Sequence, residues 1–389
     1  MNSAPVSSQS CLTFALSEEQ ELLVGEVRRF AEERIAPGRR QRDVAHEFPE
    51  QLLREMGELG LLGMLVPEAY GGAGLDSLSY MLAVEEISRI CPSLGVTMSV
   101  TNSVCCWPIA RYGSEEVRRT ILRELASGEC IGGFGLTEPG SGSDAASMRT
   151  TARRDGENYV LDGEKAWITN AGVGRYFVVL AKTDVALGKR GITAFVVPAD
   201  SPGFRVGSAE EKLGLRASRT AQLFFEGCRI PVGYRLGAEG EGFKIALATL
   251  DHSRLGIAAQ SVGIHRRALE LAVSYARERV QFGRPIAEHQ AVSFLVARIA
   301  TELAAARVLA HAAAIRESQS DAGRWAAEAK AYASEAANRA CYDSLQIHGG
   351  NGYSEEYEIA RLYRDVRVTT IYEGTSEMQR LVIARHLFG

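Results

Sequence analysis

Apolar positions recur every three or four residues from residue 17 to about 130, alternate between about 131 and 235, and return to the helical period from about 240 onward. The first stretch predicts helices. Ser17 followed by Gln20 forms a capping box, and Leu23, Val27, Phe30 and Ala31 then share one face. Pro49 opens a second helix through Leu52, Leu53 and Met56. Ser77–Ile90 and Ser114–Leu125 follow the same period, with a turn at Gly71-Gly72-Ala73-Gly74. In the middle stretch, Tyr159–Ile168 reads as a hairpin turning at Asp162-Gly163. Further strands are expected at Tyr176–Leu180, Ile192–Val197 and Ala221–Phe225. They are separated by Gly, Asp and Pro turns without intervening helices, which favours an antiparallel sheet or small barrel over a Rossmann sheet. The final stretch carries long alanine-rich helical patterns at Phe243–Arg277, His289–Ser318 and Asp321–Ile347, joined by short breaks, as in an antiparallel bundle. The predicted class is α+β, with a helical domain over 1–130, a β domain over 131–235 and a helical bundle over 236–389. No internal repeat or low-complexity linker interrupts it.

Composition narrows the function. A chain of 389 residues, 46% hydrophobic and 24% charged, is globular and too long for one simple core. Its net charge of -4, with Lys and Arg spread evenly, argues against a nucleic-acid surface. The cysteines (Cys11, Cys91, Cys105, Cys106, Cys130, Cys228 and Cys341) make no zinc spacing, and no His-Glu-x-x-His pair occurs, so no metal is assigned. Their odd number suits a reducing compartment. Residues 1–14 are Ser-rich without Lys or Arg, unlike a secretory or transit signal. No apolar run reaches the ~18 residues of a membrane span. The expectation is a cytoplasmic bacterial protein, with a processed organellar form as the second choice.

Three segments carry candidate chemistry. In Ile371-Tyr372-Glu373-Gly374-Thr375-Ser376-Glu377, a carboxylate follows apolar residues just before a helix start, where desolvation can make it a base; a solvated turn glutamate satisfies the same pattern. Phe134–Asp144 runs from a short apolar strand through a Glu-Pro turn into Gly140-Ser141-Gly142-Ser143, where backbone can approach a flat ring or a phosphate. It is neither a dinucleotide fingerprint nor a P-loop, and a plain polar turn is its rival. Gln346-Ile347-His348-Gly349-Gly350-Asn351-Gly352-Tyr353 ends a helical pattern with more glycines than a C-cap needs.

Together with Trp167-Ile168-Thr169, Asp251-His252-Ser253-Arg254 and Arg279-Val280-Gln281-Phe282-Gly283, these segments resemble the acyl-CoA dehydrogenase family, in order and spacing, from about residue 15 to the C-terminus. Gly95–Asn102, Lys212–Arg216 and Thr375–Ala384 look closest to its short-chain, butyryl-CoA-type members. The resemblance implies a helical domain, a central β domain and a C-terminal four-helix bundle. It implies FAD as cofactor, an acyl-CoA substrate, electron-transfer flavoprotein as acceptor and a homotetramer.

The implied reaction is α,β-dehydrogenation of the thioester, with Glu373 as the base. Some relatives place the base in the segment corresponding to Asp251–Arg254; here that place holds Ser253. For FAD the resemblance implies Phe134, Leu136, Thr137, Gly142 and Ser143 along the ring and pyrophosphate, with Trp167, Ile168 and Thr169 flanking the ring. Arg279 would pair with the pyrophosphate from a neighbouring subunit. Gln290, Gln346, Ile347, His348, Gly349 and Gly350 would lie near the adenosine half, and Thr375, Ser376 and Glu377 at a phosphate-binding helix start. Ser143, Asp251, Arg254 and Gly374 would touch the thioester. A branched-chain or carrier-protein-linked substrate, an acyl-CoA oxidase and a flavin-free scaffold are the rival readings.

Overall fold

A computed structural model describes residues 15–389, so the Ser-rich start and Cys11 lie outside the described residues. The first helical region begins where the capping box predicts: Gln20 N donates to Ser17 Oγ (3.2 Å) and Ser17 N to Gln20 Oε1 (3.1 Å), opening α1 (Glu18–Phe30). α2 (Arg39–Ala45) was not predicted from the sequence. α3 (Glu50–Glu58) follows Pro49, and α4 (Ser77–Ile90) is capped by the Asp76 carboxylate accepting from Ser79 N at 2.7 Å. α5 (Pro92–Val100) continues through a widened turn, Thr101–Cys106, into α6 (Trp107–Tyr112). This run also escapes sequence reading. α5 is buried on every side and has no polar face to impose a period. The predicted Ser114–Leu125 helix forms as α7 (Glu115–Val117) and α8 (Arg123–Ala126) around another widened turn.

Eight strands follow: β1 (Gly132–Gly135), β2 (Thr151–Asp155), β3 (Asn158–Thr169), β4 (Tyr176–Lys182), β5 (Ile192–Pro198), β6 (Phe204–Ala209), β7 (Thr220–Pro231) and β8 (Arg235–Leu236). They order as β6-β7-β3-β2-β4-β5-β8, with β1 beside β4. The sheet is mixed rather than purely antiparallel. β1 runs parallel to β4, and Thr151 of β2 makes a parallel bridge to Lys182. The cause is the long β1–β2 connection, which returns the chain to the same edge of β4, opposite β5, in the same direction instead of folding it back as a hairpin.

The expected hairpin at Asp162-Gly163 is also corrected. Those residues lie inside the continuous strand β3, at a bulge against β7, where Asp162 Oδ1 accepts from Gly227 N (2.7 Å). The turn falls at Gly156-Glu157, between the paired Asp155 and Asn158. Two Asp-Gly pairs compete for the turn, and the first leaves β2 its full length to pair with β3.

The chain then forms α9 (Gly242–Glu278), α10 (Gln290–Ile315), α11 (Ala322–His348), α12 (Glu358–Val366) and α13 (Ser376–Phe388). Alanines 306, 310, 333, 337 and 340 are buried, allowing close helix approach. α9 packs against both α4 and α11, so its middle joins the two helical regions. Its start presses on β5. A Cβ on Gly242 would lie 2.5 Å from the Thr193 carbonyl carbon and 2.6 Å from its Cα. Gly242→Ala is therefore expected to destabilise the protein by about 1–3 kcal/mol, seen as a lower urea midpoint, because no rotamer relieves a clash with backbone.

Candidate active site

Glu373 sits in the connection between α12 and α13 with φ +52°, followed by Gly374 at φ +89°. A left-handed glutamate costs conformational energy, so its surroundings must hold it. Gln379 Nε2 donates to the Glu373 carbonyl (3.1 Å) and the Gly374 carbonyl (2.9 Å). Thr375 N-caps α13, its Oγ1 accepting from Met378 N at 3.4 Å.

The Glu373 carboxylate points at α9, where Ser253 Oγ donates to Oε2 at 2.6 Å. Burial raises this carboxyl above its ordinary range; Ser253, Lys330 and Arg254 pull it only partly back. Arg254 is itself buried and ion-paired to Asp251. Burial lowers its guanidinium pKa, and the Asp251 charge opposes that. Asp251, Arg254, Gly374 and Glu373 are thus gathered in one place. Tyr372 lies in the same apolar cluster as Phe134 of β1, together with Val100, Val104 and Leu215. That contact joins the glycine-rich segment to the turn carrying the acid.

The Phe134–Asp144 segment is held from below by a buried ion pair that sequence reading missed. Lys165 Nζ, fully buried, donates to Glu138 Oε1 (2.7 Å) and the Leu136 carbonyl (3.3 Å). Glu138 also accepts from Thr150 N (3.0 Å) and Arg149 N. Burial would raise the Glu138 carboxyl, yet Lys165 and these donors hold it below its ordinary range. Burial pushes Lys165 down to about 8 against the pull of Glu138.

Above that pair the residues fit a flat cofactor with phosphates. Trp167, near the end of β3, has φ +62° and is 62% exposed, which leaves its indole open to lie against a bound ring. Ala166 N bonds the Thr137 carbonyl (2.9 Å), fastening this bulge to the loop. Added Cβ atoms on Gly140 and Gly142 would meet nothing within 4 Å, Ser143 is exposed, and Thr137 and Thr169 are half-buried. Ile168 turns inward to the sheet core and Leu136 packs toward β4, so only their backbones face the opening.

The remaining predicted residues lie elsewhere. Gln346 is exposed and Gly349 and Gly350 are open, whereas Ile347 packs in the bundle core. His348 is stacked on Tyr275 with ring centroids 4.3 Å apart. Asn351 Nδ2 donates to Tyr275 Oη at 2.9 Å, which sets this turn beside the end of α9 that carries exposed Arg279. Gln290, exposed, opens α10 just beyond. His348 stands eighteen residues along α11 from Lys330, which touches Gly374. That is about 27 Å along the helix axis. One chain therefore does not bring Glu373 and the Gln346–Gly350 turn together. At the start of α13, Ser376 Oγ is buried without a hydrogen-bond partner among the described residues, and Glu377 is exposed. No helix among the described residues is long and apolar enough to cross a membrane, and among them no cluster of His, Cys, Asp and Glu would hold a metal.

A helical–β–helical chain with an acid at a strained turn beside a cradle for a flat, phosphate-bearing cofactor is the framework of a flavin-dependent oxidoreductase. Residues 17–129, 133–228 and 240–388 match the N-terminal, middle and C-terminal domain models of acyl-CoA dehydrogenase. The chain belongs to the acyl-CoA dehydrogenase family. It is 50% identical over 373 residues to the mitochondrial short-chain specific acyl-CoA dehydrogenase of Homo sapiens, covering 96% of this chain and 90% of that protein. The butyryl-CoA dehydrogenase structure from Megasphaera elsdenii superposes with TM-score 0.95 at 40% identity, over 97% of this chain and 100% of that one. A chain in a structure described as the electron transferring flavoprotein of Acidaminococcus fermentans superposes with TM-score 0.96 at 44% identity, over 97% and 100%.

Proposed function

We propose that this chain dehydrogenates a short-chain acyl-CoA to the trans-2-enoyl-CoA, with Glu373 as the base that takes the α proton. Bound FAD supplies the acceptor for the β hydride, and electrons pass onward to an electron-transfer flavoprotein. The observation that carries the reading is the Glu373 carboxylate itself: desolvated, held at 2.6 Å by Ser253, and fixed on a left-handed turn that shares an apolar cluster with the cofactor segment. Desolvation strengthens a carboxylate as a base, which abstraction of so weak an acid requires. The Glu373 backbone N–H is a donor for the thioester carbonyl, stabilising negative charge as it develops there. Asp251 and Arg254 serve the CoA portion.

Phe134, Leu136, Thr137, Gly142, Ser143, Trp167, Ile168 and Thr169 would hold the flavin and its pyrophosphate, some by backbone alone. The roughly 27 Å between Lys330 and His348 supports a cofactor shared across subunits of a homotetramer. In that arrangement Arg279, Gln290 and the Gln346–Gly350 turn of one chain complete the site of another, and Thr375, Ser376 and Glu377 line a phosphate. The short-chain assignment is supported by the likeness to the human short-chain specific enzyme and to the Megasphaera butyryl-CoA dehydrogenase.

Anaerobic titration of the purified yellow protein with acyl-CoAs of stepped length tests the reading. Bleaching of the flavin band is expected with four- to six-carbon chains and should fade with longer ones. No bleaching with any acyl-CoA would overturn it, and rapid peroxide release in air would point to an oxidase.

A further inference from the structure

A lysine stands in the buried stripe of α11. Ala326, Lys330, Ala333 and Ala337 follow one another at helical spacing, all fully or nearly fully buried. Lysine is rarely found without exposure unless a partner holds it there. An ammonium carries three donors. Among the described residues its hydrogen-bond partner is the Gly374 carbonyl, reached by Nζ at 2.7 Å. Nothing in helix packing calls for that contact. The Gly374 carbonyl already accepts from Gln379 Nε2, so it would not be orphaned without the lysine.

We propose that Lys330 is the positioning residue of the base, tying the Glu373-Gly374 turn to α11 through the Gly374 carbonyl and supplying the buried counter-charge of the Glu373 carboxylate. The proposal rests on Glu373 being the base. Charged groups acting on Lys330 come from each neighbouring element: Glu373 on the turn, Arg254 on α9, Glu335 on α11 itself and Glu377 on α13. Glu373 in turn is acted on by Lys330 and Arg254 and is bonded by Ser253, and its charge is felt by Tyr80 of α4 and by Tyr372. Burial drives Lys330 down to about 7, and the Glu373 charge resists that fall. Two consequences follow. In the resting site the ammonium and the carboxylate stabilise one another where water cannot. Once Glu373 has taken the α proton, the counter-charge is gone and the ammonium is disfavoured, so Lys330 favours return of the turn to its charged form after each cycle.

The sign of the effect is fixed. A cation beside a carboxylate lowers its pKa, so removing the cation raises it. The acid limb of kcat/KM, which reports the base in the free enzyme, should therefore move to higher pH. In the holoenzyme, Lys330→Gln and Lys330→Met are each expected to shift that limb upward by about one pH unit, so that kcat/KM at pH values well below the parental limb falls about tenfold. The infrared carboxyl band assigned by subtraction of Glu373→Gln should titrate upward by a similar interval. Lys330→Met should lower the urea midpoint at neutral pH, where the buried Glu373 carboxylate loses its cation, and lower it less when Glu373→Gln is also present. Acid limbs and carboxyl titrations that coincide with the parent in both variants would overturn the inference, as would failure of both variants to fold, which would make the lysine structural. Persisting turnover in Glu373→Gln would instead sink the assignment of the base, and so separates the two failures.

Discussion

Glu373→Gln is expected to purify yellow, bind short-chain acyl-CoA and fail to bleach, with turnover reduced by about 10³-fold or more. General-base catalysis contributes about 10²–10⁴-fold where another group can share the work. Here the loss should fall at the upper end, because Ser253, hydrogen-bonded to Glu373 from α9, is no base on its own. Glutamine has the volume of glutamate and can still accept from Ser253 Oγ and keep the bonds that Gln379 makes to the turn carbonyls. Folding and cofactor content should therefore be those of the parent, and the defect should lie in kcat. Stopped-flow reduction of the flavin band checks it directly. A variant that reduces at the parental rate would show that the proton leaves to another group.

Glu138→Gln is expected to be the most damaging single change outside the acid. It removes the charge partner of a lysine with no exposure and leaves that ammonium only neutral oxygen acceptors, the Leu136 carbonyl and the new amide oxygen, while the amide NH2 cannot accept from the loop N–H groups. Breaking one side of a buried pair costs about 3–5 kcal/mol in other proteins. A similar fall in unfolding free energy is expected, together with loss of FAD on dialysis, because Glu138 ties the Thr137–Asp144 loop down through Arg149 N, Thr150 N and Lys165. The pH dependence has a definite sign. The Glu138 carboxyl lies below its ordinary range in the fold, so its contribution is present above the unfolded value of about 4.3 and fades as pH falls through the folded value. The variant should lose that part of the acid sensitivity. Glu138→Leu combined with Lys165→Met should regain much of the stability, since an apolar pair of similar volume avoids the cost of burying charge.

Legibility in the sequence followed local physics. The cap at Ser17, the helix start after Gly374, α4 from Ser77 to Ile90, and strands β4 and β5 could be read because capping chemistry and periodicity reside in neighbouring residues. α5 escaped because a helix buried on all sides shows no period. Glu138 read as half of a Glu-Pro turn, since nothing near it announces Lys165, which lies in the middle of β3. Lys330 left a faint trace, one charge on an alanine face, that could have been found by asking what a lysine does in a buried stripe. Ser253 was visible only as the absence of a second glutamate.

The sequence by itself determined the α–β–α order, the motifs in their family arrangement and the place of the candidate acid, because each depends on residue type and spacing along the chain. Tertiary structure alone decided which Asp-Gly pair turns, that β1 runs parallel to β4, and that the Glu373 carboxylate meets Ser253 while Lys330 grips the Gly374 carbonyl. It also decided that one chain keeps its acid far from its own Gln346–Gly350 turn. Those outcomes turn on pairings between residues tens to hundreds of positions apart. Register, burial and charge desolvation select among them only once the core has closed.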